Sequence, residues 1–228
     1  MNKLMTTVFA LAVASVTALA VPAMAQQIKG DPQAGQGKAD MCIGCHGIVG
    51  YQTAFPEVYK VPKISGQGAP YIAAALNAYK TGDRRHPSMR GIAESLTDQD
   101  IADLAAFYST HVDGAPTPPE QLGRQPDAQV AALLQKGACV SCHGANFAKP
   151  IDASYPKIAG QHADYLFVAL KAYKTGANTG LVGRSNGVMA PLAKQFSNAE
   201  LKAIANYLAS LEGGLQVVPE SRFRTSQK

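Results

Sequence analysis

Cys42-Ile43-Gly44-Cys45-His46 and Cys139-Val140-Ser141-Cys142-His143 each place two thiols three positions apart, with an imidazole directly after the second. This pattern suits covalent attachment of a c-type haem. Thiols at that spacing reach the two vinyl groups of one porphyrin, and the histidine then lies beneath the ring and binds iron. Three other chemistries use the same residue types. Zinc takes four cysteines but does not require a histidine after each pair. A redox dithiol of the thioredoxin kind expects a strand-rich fold. Two plain disulfides leave both histidines unexplained. Two complete motifs in one chain therefore favour two covalently bound haem c groups.

Each iron then needs a second axial ligand. Beyond the first 25 residues the chain contains only Met41, Met89 and Met189. Met41 adjoins Cys42 and has no counterpart near the second motif. Met89 lies eight residues before Thr97, and Met189 eight before Ser197. That matched offset selects Met89 and Met189 as axial partners of His46 and His143, against the commoner role of methionine as core filler. His–Met ligation raises the iron potential relative to two imidazoles and closes both axial positions, which suits electron transfer better than oxygen or peroxide chemistry. His86, three residues before Met89, competes for the iron but has no equivalent in the second copy. With His111 and His162 it reads as solvated or structural. The carbonyls of Pro62 and Pro156 are candidates to accept the free N–H of the haem histidines, which fixes ring orientation.

The segments that must position these residues repeat. Pro62-Lys63-Ile64-Ser65-Gly66-Gln67 returns as Pro156-Lys157-Ile158-Ala159-Gly160-Gln161, and Ala78-Tyr79-Lys80-Thr81-Gly82 as Ala172-Tyr173-Lys174-Thr175-Gly176. Between the copies lies Gly114-Ala115-Pro116-Thr117-Pro118-Pro119, whose prolines forbid helix and stiffen the connection. The expected domains are 26–113 and 120–228, with 114–119 as linker. Each copy reads as helical. Asp31-Pro32 is an N-cap with a first-turn proline. Asp127 to Gln135 has apolar residues at helical spacing. Tyr71–Lys80 and Tyr165–Lys174 form middle helices stopped by Thr-Gly. Thr97-x-x-Asp100 resembles a capping box and Ser197-x-x-Glu200 fits one, each opening a closing helix. No alternating strand pattern stands out. Domains of this size have only moderately stable cores, and a large buried cofactor adds to them.

The 228 residues are 46% hydrophobic and 16% charged, which excludes a disordered chain. Lys3, an apolar run from Leu4 to Val21 and Ala23-Met24-Ala25 read as a cleaved secretory signal over residues 1–25. The mature protein then starts at Gln26, is not transmembrane, and resides in the periplasm. Cysteines in an oxidising compartment default to disulfides, but the spacing here overrides that default. Residues 26–118 carry eight Lys and Arg against nine Asp and Glu, and residues 119–228 carry twelve against seven. The second half is therefore the basic one, which favours reduction of its haem.

Each half resembles a small class I cytochrome c, with a helix, Cys-x-x-Cys-His, a Pro-x-x-x-Gly stretch, a Met loop and a closing helix. Two fused copies behind a signal resemble the cytochrome c4 family over essentially the whole mature chain. The resemblance implies an all-α fold of two tandem class I cytochrome c domains, each wrapped around one covalent haem. It also implies a periplasmic one-electron carrier in a respiratory chain that delivers electrons to a terminal oxidase or reductase. Cys42, Cys45, Cys139 and Cys142 map to haem attachment, and His46, Met89, His143 and Met189 to axial ligation. The implied partners are redox proteins, with no nucleic acid. A permanent electron-accepting subunit of a periplasmic dehydrogenase is the rival reading, and a dihaem peroxidase a weaker one. The copies differ in one respect. Thirteen positions separate Gly176 from Met189 but seven separate Gly82 from Met89, so the second Met loop has extra residues around Thr179 to Asn186.

Overall fold

A computed structural model describes residues 28–114, 120–177 and 180–219. The expected signal, most of the linker and the last nine residues lie outside the described residues. The first half runs α1 (Pro32–Lys38), α2 (Asp40–His46), β1 (Gln52–Thr53), β2 (Tyr59–Lys60), α3 (Ala69–Thr81), β3 (Arg84–Arg85), α4 (Pro87–Glu94) and α5 (Asp98–Thr110). The second runs α6 (Ala128–Lys136), α7 (Val140–His143), α8 (Ala163–Thr175), β4 (Gly183–Arg184), α9 (Met189–Lys194) and α10 (Asn198–Ala209). The fold is all-α and has, among the described residues, two very short ladders: β1 with β2, and β3 with β4, both antiparallel.

Local sequence explains the helix ends. The Asp31 carboxylate accepts the Gln33 N–H at 2.8 Å, and Pro32 opens α1 where a missing N–H costs nothing. Thr97 with Asp100 and Ser197 with Glu200 both form complete capping boxes, so aspartate serves as well as glutamate in the first. Both middle helices stop at the glycine of Thr-Gly. Gly82 takes φ +88° in the left-handed region, whereas Gly176 combines φ +80° with an extended ψ of 173°, a pairing that only glycine adopts readily.

In each half the first and last helices cross and enclose the core. Gly35 on α1 passes so close to α5 that a Cβ there would collide with the Asp103 carbonyl. Asp103 is buried and accepts from the Asp31 N–H at 2.8 Å, the Lys38 ammonium at 2.6 Å and the Gln99 amide at 2.8 Å, which pins α1 to α5. Ile43, Ile72, Leu104, Phe107 and Tyr108 build the first core. Leu133, Leu134, Leu166, Leu201, Ile204 and Leu208 build the second, with Phe147 fully buried among them.

The halves dock through one pattern of contacts used twice. The Gln67 side chain donates to the Lys157 carbonyl and accepts the Lys157 N–H, both at 2.9 Å. Reciprocally, Gln161 donates to the Lys63 carbonyl at 2.8 Å and accepts the Lys63 N–H at 3.0 Å. The Lys63 ammonium reaches the Gly160 carbonyl at 2.7 Å, and that of Lys157 the Gly66 carbonyl at 2.6 Å. In the β3–β4 ladder Arg84 faces Arg184. The segment after Gly213 is part of this interface. Gln216 bridges to Ser65 through its backbone at 3.0 Å, and its side chain both accepts from and donates to the backbone of Asp113.

Candidate functional site

Cys42 and Cys45 lie on α2, and His46 ends it. In the second half Cys139 caps α7, which carries Cys142 and His143. Three-residue spacing on a helix brings two side chains to one face. All four thiols are free, without a disulfide. Burial pushes the Cys42 and Cys139 thiols up.

Both haem-motif histidines are held alike. His46 Nδ1 lies 2.8 Å from the Pro62 carbonyl and His143 Nδ1 lies 3.0 Å from that of Pro156. A carbonyl only accepts, so Nδ1 carries the proton and Nε2 keeps its lone pair. Burial lowers the His46 pKa to about 4. The nearby Arg84 charge adds to that effect, and the Pro62 carbonyl opposes it. Burial lowers His143 in the same direction. Both rings are therefore neutral at pH 7, as a metal ligand requires.

A cavity of about 960 Å³ runs between the halves, and Cys42, His46, Met89, Cys139, His143 and Met189 all line it. Met89 is the third residue of α4, and Met189 the first of α9. The extra residues of the second Met loop are absorbed ahead of β4, so Arg184 precedes Met189 by the same five positions that separate Arg84 from Met89. Asn186 holds that loop: its side-chain oxygen accepts the Val188 N–H at 3.0 Å and the Met189 N–H at 2.8 Å.

Sequence reasoning missed a cluster at the centre of the cavity wall. Arg84 and Arg184 are both buried. Arg84 donates to the Tyr165 hydroxyl at 2.7 Å and to that of Tyr71 at 3.5 Å, and Arg184 donates to Tyr165 at 3.2 Å. The Arg84 guanidinium sits 4.6 Å from the Tyr79 ring centre, and that of Arg184 sits 5.1 Å from Tyr173. Among the described residues no carboxylate lies within ion-pair distance of either arginine. The two positive charges hold the shared hydroxyl of Tyr165 down to about 7 against the effect of burial. The signal was present in the sequence, since both arginines stand at one offset from their methionines and the tyrosines recur in the repeat. The other histidines divide. His111 stacks on Phe107 at 4.5 Å, and His162 precedes α8. His86 is buried in the cavity wall and not solvated.

These residues fit two haems: a large apolar chamber, two pairs of unpaired thiols, two oriented neutral imidazoles, and a pair of buried cations that lack protein carboxylates. The cytochrome c family model matches residues 32–111 and 128–212, one match per half. Cytochrome c4 of Azotobacter vinelandii is 32% identical over 92% of this chain and 100% of its own. The chain belongs to the cytochrome c4 family. The crystal structure of reduced recombinant cytochrome c4 from Pseudomonas stutzeri superposes with a TM-score of 0.58 at 28% identity, covering 80% of this chain and all of that one. A thiosulfate dehydrogenase electron acceptor of Thiomonas intermedia is 30% identical over 88% of this chain and 89% of its own. Membership makes the chain a dihaem electron-transfer protein with two covalent haem c groups, and not an enzyme. No described helix is long and apolar enough to cross a membrane.

Proposed function

We propose that this chain is a periplasmic one-electron carrier of a respiratory chain, delivering electrons to a terminal oxidase or reductase. In this reading residues 1–25 are removed on export, and 26–113 and 120–228 are the two domains. Cys42 and Cys45 hold one haem through thioethers, and Cys139 and Cys142 hold the other. His46 with Met89, and His143 with Met189, bind the two irons. The observation that carries the reading is the matched pair of histidine-to-proline-carbonyl contacts facing one shared cavity.

The haems, once bound, supply reversible one-electron iron chemistry. The chain does the rest. The Pro62 and Pro156 carbonyls fix ring orientation and strengthen the imidazoles as donors. Arg84 and Arg184, buried with no carboxylate beside them among the described residues, suit the haem carboxylates, since a buried cation short of counter-charge is costly. Their positive charge near both sites favours the reduced state.

The test mixes fully reduced holoprotein with membranes that bear a terminal oxidase. Rapid reoxidation of both haems supports the carrier. The similarity to a thiosulfate dehydrogenase electron acceptor favours a second reading, that of acceptor for a periplasmic dehydrogenase. Fast reduction by such an enzyme, a native mass above that of the free chain and no reaction with the membranes would select it. Substantial peroxide turnover by the intact protein would instead point to a dihaem peroxidase.

A further inference from the structure

His86 has no task in the function proposed above. Its side chain lines the cavity with Cys42, His46 and Met89, and the residue is only 8% exposed. Tyr59 meets its ring edge-on at 6.2 Å, yet neither ring nitrogen has a hydrogen-bond partner among the described residues. A buried imidazole ordinarily anchors at least one nitrogen. Burial and the Arg84 charge both lower its pKa, so the ring is neutral with a free lone pair. Its backbone opens α4, where its carbonyl accepts the Arg90 N–H at 2.9 Å, so His86 and Met89 belong to the same helical turn, and both side chains line the cavity. The second half lacks this arrangement. Asn186 holds the matching position three residues before Met189, and its side chain is occupied in capping that loop.

We propose that His86 is a reserve axial ligand for the iron of the first half, taking the coordination position when the Met89 thioether leaves it. The inference rests on the assignment of Met89 as an axial ligand. The exchange breaks one iron–sulfur bond and forms one iron–nitrogen bond from the lone pair of the neutral ring. No electron or proton is transferred. Oxidation of the methionine to its sulfoxide by a peroxide is one way to trigger it, because the thioether sulfur is consumed. The first site then stays closed at a lower potential, since two imidazoles favour the oxidised iron more than His–Met does. Among the described residues no imidazole stands at the matching position of the second site, so loss of Met189 opens its iron to small external ligands.

Met89→Ala and Met189→Ala holoproteins distinguish the sites, with carbon monoxide on the reduced protein as the probe of an open iron. For Met89→Ala we expect loss of one methionine–iron absorption band, a low-spin iron and a several-fold slower reaction with carbon monoxide. For Met189→Ala we expect a high-spin iron and rapid carbon monoxide binding. His86→Asn combined with Met89→Ala should behave like Met189→Ala. If Met89→Ala alone is as open as Met189→Ala, the proposal is overturned. If Met89→Ala leaves both methionine–iron bands intact, the axial assignment itself fails, a different and visible result. Should Met89→Ala not mature, mild sulfoxidation of the intact protein gives the same information. One high-spin site, rising to two in His86→Asn, supports the proposal, and two in the parent overturn it.

Discussion

Replacing Gln67 and Gln161 by alanine should uncouple the two halves. Each side chain makes two hydrogen bonds to the backbone of a lysine in the other half, between 2.8 and 3.0 Å, and each residue is 4% exposed. A hydrogen bond contributes about 1 kcal/mol net, and a buried backbone group left without a partner costs about 1–3 kcal/mol. Gln67→Ala strands both the N–H and the carbonyl of Lys157, so it should cost about 2–6 kcal/mol, with the low end if water enters. The double variant, which also strands Lys63, should lose about 4–12 kcal/mol, less any coupling between neighbouring sites. The linker keeps the halves at high effective concentration, so they will stay close but will no longer share one transition. Urea unfolding of the holoprotein, followed by circular dichroism and by the methionine–iron band, is the assay. At a slope of about 2.5 kcal/mol per M, a loss of about 4 kcal/mol moves the midpoint by about 1.6 M. We expect one coincident transition in the parent and two separated transitions in the double variant. A double variant with an unchanged midpoint and a single transition would refute the claim that these bonds couple the halves.

Asp103→Ala should lower stability by about 1–3 kcal/mol, because it strands the Asp31 N–H, while the Lys38 ammonium keeps its pairing with Asp100 at 2.7 Å. Thermal unfolding reads this, and a change within error would show that α1 is held by packing alone. Between pH 6.5 and about 4 the unfolded His46 takes a proton that the folded ring, lowered to about 4, refuses. Stability should therefore be full above pH 6.5 and fall toward pH 4, with His143 acting in the same direction. Denaturant midpoints that rise as the pH falls from 7 to 5 would contradict this. Denatured holoprotein should keep the mass of two haems, and release of both on unfolding would sink the thioether assignment. The basic second half should give the His143 site the higher potential. One unit charge at roughly 10 Å in a water-like medium is worth about 0.4 kcal/mol, on the order of 20 mV. Site-resolved redox titration decides, and a higher potential at the His46 site would mean that the local ligand environment outweighs the surface charges.

The haem motifs, the helix caps and the matched placement of the two methionines were legible because each is a local pattern with a local cause. Thiol spacing, a capping oxygen and a fixed distance to a helix start need no knowledge of the rest of the chain. The short strands were not legible, since two-residue ladders carry no periodicity and exist only because other segments face them. The interface between the halves was half visible. Lys63 and Gln67 recur as Lys157 and Gln161 within the quoted repeat, and Tyr71 and Tyr79 recur as Tyr165 and Tyr173, all 94 positions on. A contact that relates two similar halves by near two-fold symmetry uses the same patch from each, so its residues must be kept in both copies. Repeat identity away from the haem motifs thus has a cause of its own, the reciprocal glutamine and lysine contacts and the facing arginines of the β3–β4 ladder. Where that symmetry ends, so does the signal. Gln216 joins the interface from the final segment, and the first half has no counterpart because its own end leads into the linker. His86 likewise stands opposite Asn186, one of the places where the copies were free to diverge and the two iron sites to acquire different chemistry.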